Sequence, residues 1–247
     1  MTWSVVAADS TGTSHVVRGL PCQDAHLHAV FGPADDWLVV AVADGAGSAS
    51  RAEVGAALAC REFIARVVRL GPDGLHSPEV VAALFAGVRD ELLAEAERLT
   101  VSPRELACTA LLAVVGPTAA VFAQLGDGAI VVGNADYRRV VFWPEPAEYA
   151  NATDFLTDDR FARAVRVESS AEAIDELCVM TDGLQRVALD FTTQTLHSPF
   201  FDPMFGRVRD AGNPAELADP LRGFLDSPRV NERTDDDKTL FLATRRQ

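Results

Sequence analysis

The chain is short of basic residues. Its 247 residues include 22 lysines and arginines against 36 aspartates and glutamates, which gives a formal net charge of -14. Proteins that bind nucleic acids or anionic membranes hold the phosphate groups with clusters of lysine and arginine. The sequence contains no such cluster, so we expect neither a nucleic acid nor a membrane as its partner.

Cysteine is scarce, and long apolar runs are absent. The four cysteines lie far apart without a Cys-x-x-Cys pair, at Cys22, Cys60, Cys108 and Cys178, so disulfides and structural zinc are not expected. No apolar stretch reaches the ~18 residues that cross a bilayer, and the first residues do not have the character of a signal sequence. We therefore expect a cytoplasmic location. The chain has no repeat, and residues 1–247 are expected to form a single domain.

An Asp-Gly dipeptide follows a short apolar run three times, at Asp44-Gly45, Asp127-Gly128 and Asp182-Gly183. Each run is typical of a buried strand. Asp-Gly is also a common hairpin turn, and for any one dipeptide alone the turn is the better interpretation. Carboxylates at strand ends can converge, however, and buried carboxylates without basic neighbours need a cation to neutralise them. Together the three dipeptides predict an all-oxygen centre for Mg²⁺ or Mn²⁺.

The periodicity of apolar residues predicts an α+β fold in layers. Helices are expected over residues 49–70, 78–99 and 214–225, the last capped at Asn213. Strands are expected over residues 3–8, 26–31, 37–43, 108–115, 118–125, 129–133, 138–142, 164–168, 176–181 and 238–244, with 108–142 forming one antiparallel meander. Residues 143–163 and 189–209 have no clear period, and we interpret them as long surface excursions.

Taken in order, the motifs of this chain resemble the metal-dependent type 2C protein phosphatases in their compact bacterial branch. The matching segments are Gly12-Thr13-Ser14-His15, Cys22-Gln23-Asp24-Ala25, Val42-Ala43-Asp44-Gly45-Ala46-Gly47-Ser48, Thr109-Ala110, Gly126-Asp127-Gly128, Thr181-Asp182-Gly183 and Asp236-Asp237-Lys238-Thr239. The resemblance spans nearly the whole chain. It implies a four-layer αββα sandwich, with two antiparallel sheets flanked by helices and a binuclear metal site at one edge.

The resemblance also implies a ligand set for two or three divalent cations, Mn²⁺ or Mg²⁺. Asp44 matches the carboxylate that bridges two metals, and Gly45 matches a backbone carbonyl ligand. Asp182 and Asp236 match the other carboxylate ligands of the second metal. Asp24 matches an acidic residue that acts through metal-bound waters, and Asp127 matches a ligand of a weaker, additional metal.

The implied activity is hydrolysis of phosphoserine and phosphothreonine by attack of a metal-bridging water. Two divalent cations polarise the phosphoryl oxygens and lower the pKa of a shared water, so no protein nucleophile is needed. The implied partners are a phosphorylated protein substrate and a cognate Ser/Thr kinase.

The sequence departs from the usual family pattern at three places. Ala46 stands where many members have the histidine that protonates the leaving alkoxide, and His15 is our candidate to replace it. The phosphate-holding arginine is Gly19 here, with Arg18 one position away. Residues 185–186 replace a further acidic residue, which puts the third metal in doubt. His15 as a surface histidine and Arg18 as a solvated side chain are the competing interpretations.

Two other functions fit part of the sequence. Gly45-x-Gly47-x-x-Ser50 after a strand imitates a dinucleotide-binding turn, but Asp44 at the strand end would oppose a pyrophosphate and a second helix follows the first. A catalytically weak or inactive phosphatase-like scaffold that binds phosphorylated partners is the more serious alternative. The carboxylates expected to hold metal are all present, and we therefore expect activity.

Overall fold

Two five-stranded antiparallel sheets form the centre of the computed structural model, which describes residues 2–74, 77–143 and 153–246, with every side chain in them except that of Asp73. The first sheet has the order β1-β12-β9-β6-β7 and contains β1 (Trp3–Ser10), β6 (Ala129–Gly133), β7 (Arg138–Val140), β9 (Glu176–Met180) and β12 (Lys238–Arg245). The second has the order β2-β3-β4-β5-β8 and contains β2 (Ala25–Phe31), β3 (Trp37–Ala43), β4 (Ala110–Val115), β5 (Ala120–Leu125) and β8 (Arg166–Ser170). A short hairpin joins β10 (Leu189–Asp190) to β11 (Thr195–Leu196).

Helices cover the outer faces of both sheets. Described in chain order, they are α1 (Thr13–Arg18), α2 (Ala52–Leu70), α3 (Pro78–Leu99), α4 (Phe161–Ala164), α5 (Gln185–Ala188), α6 (Ser198–Asp210), α7 (Ala218–Leu225) and α8 (Pro228–Asn231). Helices α2 and α3 pack on the second sheet, and α6, α7 and α8 pack on the first. None of the helices in the described part of the chain has the length and apolar character that crossing a bilayer requires.

Strand β3 shows why the layers form. Side chains alternate between the two faces of a strand, and those of Val39 and Ala41 join the core under α2 and α3. Leu38 and Val40 point the other way, into the core between the two sheets. A strand buried on both faces reads as a continuous apolar run. The predicted four-layer αββα sandwich is therefore confirmed.

The order of strands excludes the dinucleotide-binding alternative. In that fold, the strand after the helix lies parallel to the first strand. Here two helices follow β3, and the next strand, β4, pairs with β3 in the antiparallel direction, with Leu38 opposite Val115.

The predicted meander over residues 108–142 is wrong. Strands β4 and β5 pair within the second sheet, whereas β6 and β7 belong to the first. The chain crosses between sheets at Gly126 and Gly128, whose φ angles of 84° and 105° suit glycine and disfavour other residues. The crossing brings the turn between them to the edge of the sandwich.

The interpretation of residues 189–209 as a surface excursion is also wrong. The segment contains the β10–β11 hairpin and most of α6, and Phe200, Phe201 and Phe205 are at most 5% exposed. Pro199 and Pro203 obscured the helical spacing of these aromatic residues. Of the other stretch, residues 144–152 lie outside the described residues, and Leu156 is buried in the core under α3. Helix α1 was not predicted.

Candidate metal centre

Five aspartates lie where strands begin or end at one edge of the sandwich. Asp44 directly follows β3, and Asp182 comes two residues after β9 ends. Asp127 occupies the crossing turn between β5 and β6, Asp24 directly precedes β2, and Asp236 comes two residues before β12. Because neighbouring antiparallel strands start and end at the same edge, carboxylates far apart in the chain meet there.

Three of these carboxylates form a tight group. One oxygen from each of Asp44, Asp127 and Asp182 lies within 4.8 Å of the other two. Asp236 is outside this group, but its charge raises the pKa of all three members. Among the described residues, no lysine or arginine makes an ion pair with any of the four.

Without a cation to neutralise them, the clustered carboxyl groups resist ionisation. Burial, followed by the charges of Asp24 and Asp182, raises the pKa of Asp44 well above its usual range. Burial, followed by the charges of Asp127 and Asp236, raises the pKa of Asp182 to about 6. One oxygen of Asp44 lies within 4.8 Å of one oxygen of Asp182, so two negative charges there oppose each other. A divalent cation would neutralise both.

Two carboxylate oxygens show whether a metal would fit the cluster. Oδ1 of Asp182 and Oδ1 of Asp24 are buried and find no hydrogen-bond donor in the described part of the chain. A buried carboxylate oxygen without a partner is costly. Hard oxygen donors crowded together without basic neighbours suit Mg²⁺ or Mn²⁺. The residues present therefore fit a divalent cation centre.

Hydrogen bonds to Thr109, the residue before β4, fix the position of Asp44. The Asp44 N–H donates to Oγ1 of Thr109 at 3.0 Å, and the Thr109 N–H donates back to the Asp44 carbonyl at 2.8 Å. Gly45 donates its N–H to the Gln23 carbonyl at 3.1 Å. A Cβ on Gly45 would lie 2.7 Å from that carbonyl oxygen and 2.6 Å from Cβ of Ala52, so only glycine fits.

Two buried glutamines hold the crossing turn that carries Asp127. Gln124 donates its side-chain amide to the Gly126 carbonyl at 3.1 Å and to the Gly128 carbonyl at 3.3 Å. Gln185 donates to the same Gly128 carbonyl at 3.0 Å. Gln185 lies in the pair of residues that replaces the family's further acidic residue, and its amide supports the turn that presents Asp127.

Asp24 is bound to the Asp182 segment. Its Oδ2 accepts a hydrogen bond of 2.8 Å from Oγ1 of Thr181, the residue before Asp182. Burial raises the pKa of Asp24 to about 8, the charges of Asp237 and Asp182 add to this, and the Thr181 hydrogen bond opposes it. The carboxyl is 9% exposed, so it faces the cluster from within the protein.

Asp237 is a residue that the sequence analysis did not assign. It is 2% exposed, and its carboxylate accepts hydrogen bonds of 2.6 Å from the N–H groups of Gly12 and Gln23. A third partner, Nδ1 of His15, lies 2.9 Å away. Asp237 therefore joins α1, the segment before β2 and the start of β12. Asp237 was missed because residues 235–237 are three successive aspartates, and the sequence alone does not show which of them is buried.

The two other predicted catalytic residues differ in their surroundings. His15 is 3% exposed and contacts Asp237 through Nδ1, so it is not a surface histidine. Arg18 is exposed, and its Nε donates to the Ser14 carbonyl at 3.1 Å. Neither is hydrogen-bonded to the three clustered carboxylates in the described part of the chain. Their catalytic roles stay predictions.

Comparison with known proteins decides the family. The family model described as protein phosphatase 2C matches residues 11–224. The chain belongs to the protein phosphatase 2C family. Serine/threonine-protein phosphatase 3 of Escherichia coli (strain K12) is 39% identical to it over 251 residues, covering 98% of each chain. The resemblance inferred from the motifs is confirmed.

Solved structures share the fold. Serine/threonine phosphatase Stp1 from Staphylococcus aureus matches with a TM-score of 0.67 and 16% identity, over 100% of this chain and 96% of its own. The catalytic domain of the phosphatase PstP, solved with two manganese ions, matches with a TM-score of 0.64 and 15% identity over 99% of each chain. The present chain is a metal-dependent protein phosphatase that acts on phosphoproteins. Its cofactor is a divalent cation, Mn²⁺ or Mg²⁺.

Proposed function

We propose that the phosphatase removes phosphate from phosphoserine and phosphothreonine side chains of proteins. The 39% identity to an Escherichia coli serine/threonine-protein phosphatase over nearly the whole chain supports this substrate class. The clustering of Asp44, Asp127 and Asp182 is the single structural observation that carries the proposal.

The carboxylates are the proposed ligands of the cations. Asp44, Asp127 and Asp182, whose oxygens lie within 4.8 Å of one another, would hold the cations. The backbone carbonyl of Gly45 and the carboxylate of Asp236 would supply further ligands. When bound, divalent cations neutralise phosphoryl charge and activate water for attack on phosphorus. Asp24, with one buried and unpartnered oxygen, would hold a water of the metal centre.

His15 is the proposed proton donor to the departing hydroxyl. A carboxylate at Nδ1 holds the proton on that nitrogen and fixes the ring, as second partners of catalytic histidines do. Nε2 has no hydrogen-bond partner among the described residues and is the atom that exchanges a proton with the leaving oxygen. Arg18, one turn further along α1, is the proposed contact for the phosphate group.

The proposal is tested with Mn²⁺-dependent hydrolysis of an aryl phosphate and of a phosphothreonine peptide. Asp44→Asn and Asp182→Asn are expected to lose at least about 100-fold in kcat/KM, since each removes a charge that holds cations. Asp210→Asn, an exposed aspartate on α6, is the matched control and keeps the parent rate. Equal rates in all four proteins, or no turnover by the parent, would favour a phosphate-binding scaffold over an enzyme.

His15→Ala separates the acid from a structural role. An alkoxide leaving group needs a proton, whereas an aryl oxide leaves readily without one. The variant is therefore expected to lose more rate on the phosphothreonine peptide than on the aryl phosphate. A uniform loss on both substrates rejects the acid role.

A cognate Ser/Thr kinase is the proposed partner, and the cytoplasm is the proposed location. Four free cysteines support a reducing compartment. Phosphoproteomics of cells with and without the phosphatase tests both proposals. We expect cytoplasmic phosphoserine and phosphothreonine sites to accumulate when it is absent, and accumulation only on exported proteins would contradict the location.

A further inference from the structure

A cavity of about 320 Å³ lies outside the first sheet, among α6, α7 and α8. Val6 of β1 and Leu242 of β12 form part of its floor. Apolar side chains of the three helices form most of its walls, namely Phe200, Met204, Val208, Leu221, Phe224 and Val230. We call it the α6–α8 cavity. Its size falls in the range of about 300–1,000 Å³ that small-molecule sites occupy.

The polar residues that line the α6–α8 cavity all have basic side chains. Arg207 of α6, Arg229 of α8, Arg233 beyond α8 and His197 line it, and none of the aspartates and glutamates that the structure describes does. This is unusual in a chain with 36 acidic and 22 basic residues. A chance selection of lining residues would contain more acidic than basic groups.

The three arginines also have no acidic partner within 4.0 Å in the described part of the chain. Other arginines on the same face of the protein do. Arg138 and Arg209 bind Glu176, and Arg222 binds Asp219 at 3.0 Å. These three arginines are thus neutralised, whereas the exposed arginines at the α6–α8 cavity keep their hydrogen-bond donors available.

An apolar cavity bordered by guanidinium groups without acidic partners favours one chemical class of ligand. The apolar walls gain free energy by burying a hydrocarbon or aromatic body. The guanidinium groups bind carboxylate or phosphate with charge-assisted hydrogen bonds. A neutral or cationic ligand would satisfy the walls only. We propose that the α6–α8 cavity binds a small amphipathic anion, an apolar body with one carboxylate or phosphate head group.

This site is separate from the metal centre in its residues, and the proposal does not depend on the phosphatase mechanism. None of Asp24, Asp44, Asp127, Asp182 or Asp236 lines the cavity. Binding can therefore be measured on the full chain with its cations present, and inorganic phosphate can occupy the metal centre without filling an apolar space.

Isothermal titration of the Mn²⁺-loaded phosphatase with four ten-carbon probes tests the proposal. Decanoate and decylphosphonate carry the carboxylate and a phosphate-like head group that the phosphatase cannot hydrolyse, while 1-decanol and decylamine supply the same apolar body without a negative charge. Both anions are expected to bind at least about tenfold more tightly than the alcohol and the amine. A preference for one anion identifies the head group. Equal binding of all four probes, or no binding of either anion, overturns the proposal.

Variants place the binding in the cavity. Arg229→Gln and Arg233→Gln are each expected to weaken binding of the preferred anion by about tenfold. Arg69→Gln, an exposed arginine at the end of α2, is the matched control and leaves binding unchanged. Equal affinity in all three variants overturns the assignment.

A second variant tests the apolar body, and circular dichroism checks that it is folded. Met204→Trp puts a larger side chain into the cavity and is expected to abolish binding of the ten-carbon anions. Retained affinity in the folded variant contradicts the proposal. Binding of an acidic, leucine-rich peptide without binding of either small anion would also overturn it, in favour of a protein partner.

Discussion

When the divalent cations are removed, the free energy of unfolding of the phosphatase is expected to fall as the pH rises. Asp182 allows the size of the effect to be worked out. Its pKa is about 6 in the cation-free fold, against an ordinary value of 3.8. Between these pH values the folded state holds a proton that the unfolded chain has released, so the free energy of unfolding falls with increasing pH. The contribution is complete below pH 3.8 and is lost as the pH rises through about 6.

The difference between the two values, 6 − 3.8, is about 2.2 pH units. At about 1.36 kcal/mol for each unit, Asp182 alone accounts for about 3 kcal/mol. Asp24, whose pKa is raised to about 8, extends the decline to higher pH. Bound Mn²⁺ is expected to abolish the decline, since a cation competes with the proton for the ionised carboxylate.

The assay is urea unfolding followed by circular dichroism, from pH 3.8 to about 8. It compares chelator-treated parent, Mn²⁺-saturated parent and chelator-treated Asp182→Asn. Asparagine cannot ionise, so the difference between the treated proteins isolates Asp182 from groups with the opposite slope, such as His28, whose pKa is lowered by burial. Parallel curves for parent and variant would refute the reasoning.

Three substitutions test the surroundings of the metal centre by urea unfolding. Asp237→Asn removes the charge that accepts three hydrogen bonds and is expected to cost about 3 kcal/mol; an unchanged midpoint would contradict its structural role. Thr109→Val leaves the Asp44 N–H without its acceptor and is expected to cost about 1–3 kcal/mol, with Thr109→Ser as a control that keeps the hydroxyl. Gly45→Ala puts a Cβ 2.6 Å from a neighbouring side-chain carbon and is expected to cost about 1–3 kcal/mol and weaken Mn²⁺ binding, whereas Gly47→Ala, with nothing within 4 Å, is neutral. Similar effects of the two alanine substitutions would contradict the close fit.

The metal centre could be predicted from the sequence because each clustered aspartate is marked by the residues next to it in the chain. Each of Asp44, Asp127 and Asp182 ends an apolar run, and buried antiparallel strands bring such ends to a common edge. The layered fold followed from the same apolar runs and from the two long helices. Those helices were predicted well because apolar residues recur at the spacing of a buried helix face, as Phe63 and Val67 do in α2 and Leu84 and Val88 do in α3.

The features that sequence did not predict depend on contacts between distant segments. Whether β6 pairs with β5 or crosses to the other sheet is decided by β9, which accepts β6 as a neighbour. Helix α1 has six residues, and its Val17 is 87% exposed, so it has no apolar stripe to detect. The burial of His15 follows from Asp237, which is 222 residues away in the chain.

The place of β12 in its sheet has a consequence for synthesis of the protein. It is the last strand of the first sheet to be made, yet it lies between β1 and β9, and β1 has no other neighbour in that sheet. A ribosome must therefore release residues 238–245 before β1 can pair and before Asp236 can approach the other carboxylates. Nascent chains that end earlier leave β1 and one edge of β9 without their partner strand, and we expect a growing polypeptide to dephosphorylate its substrate only after β12 has emerged.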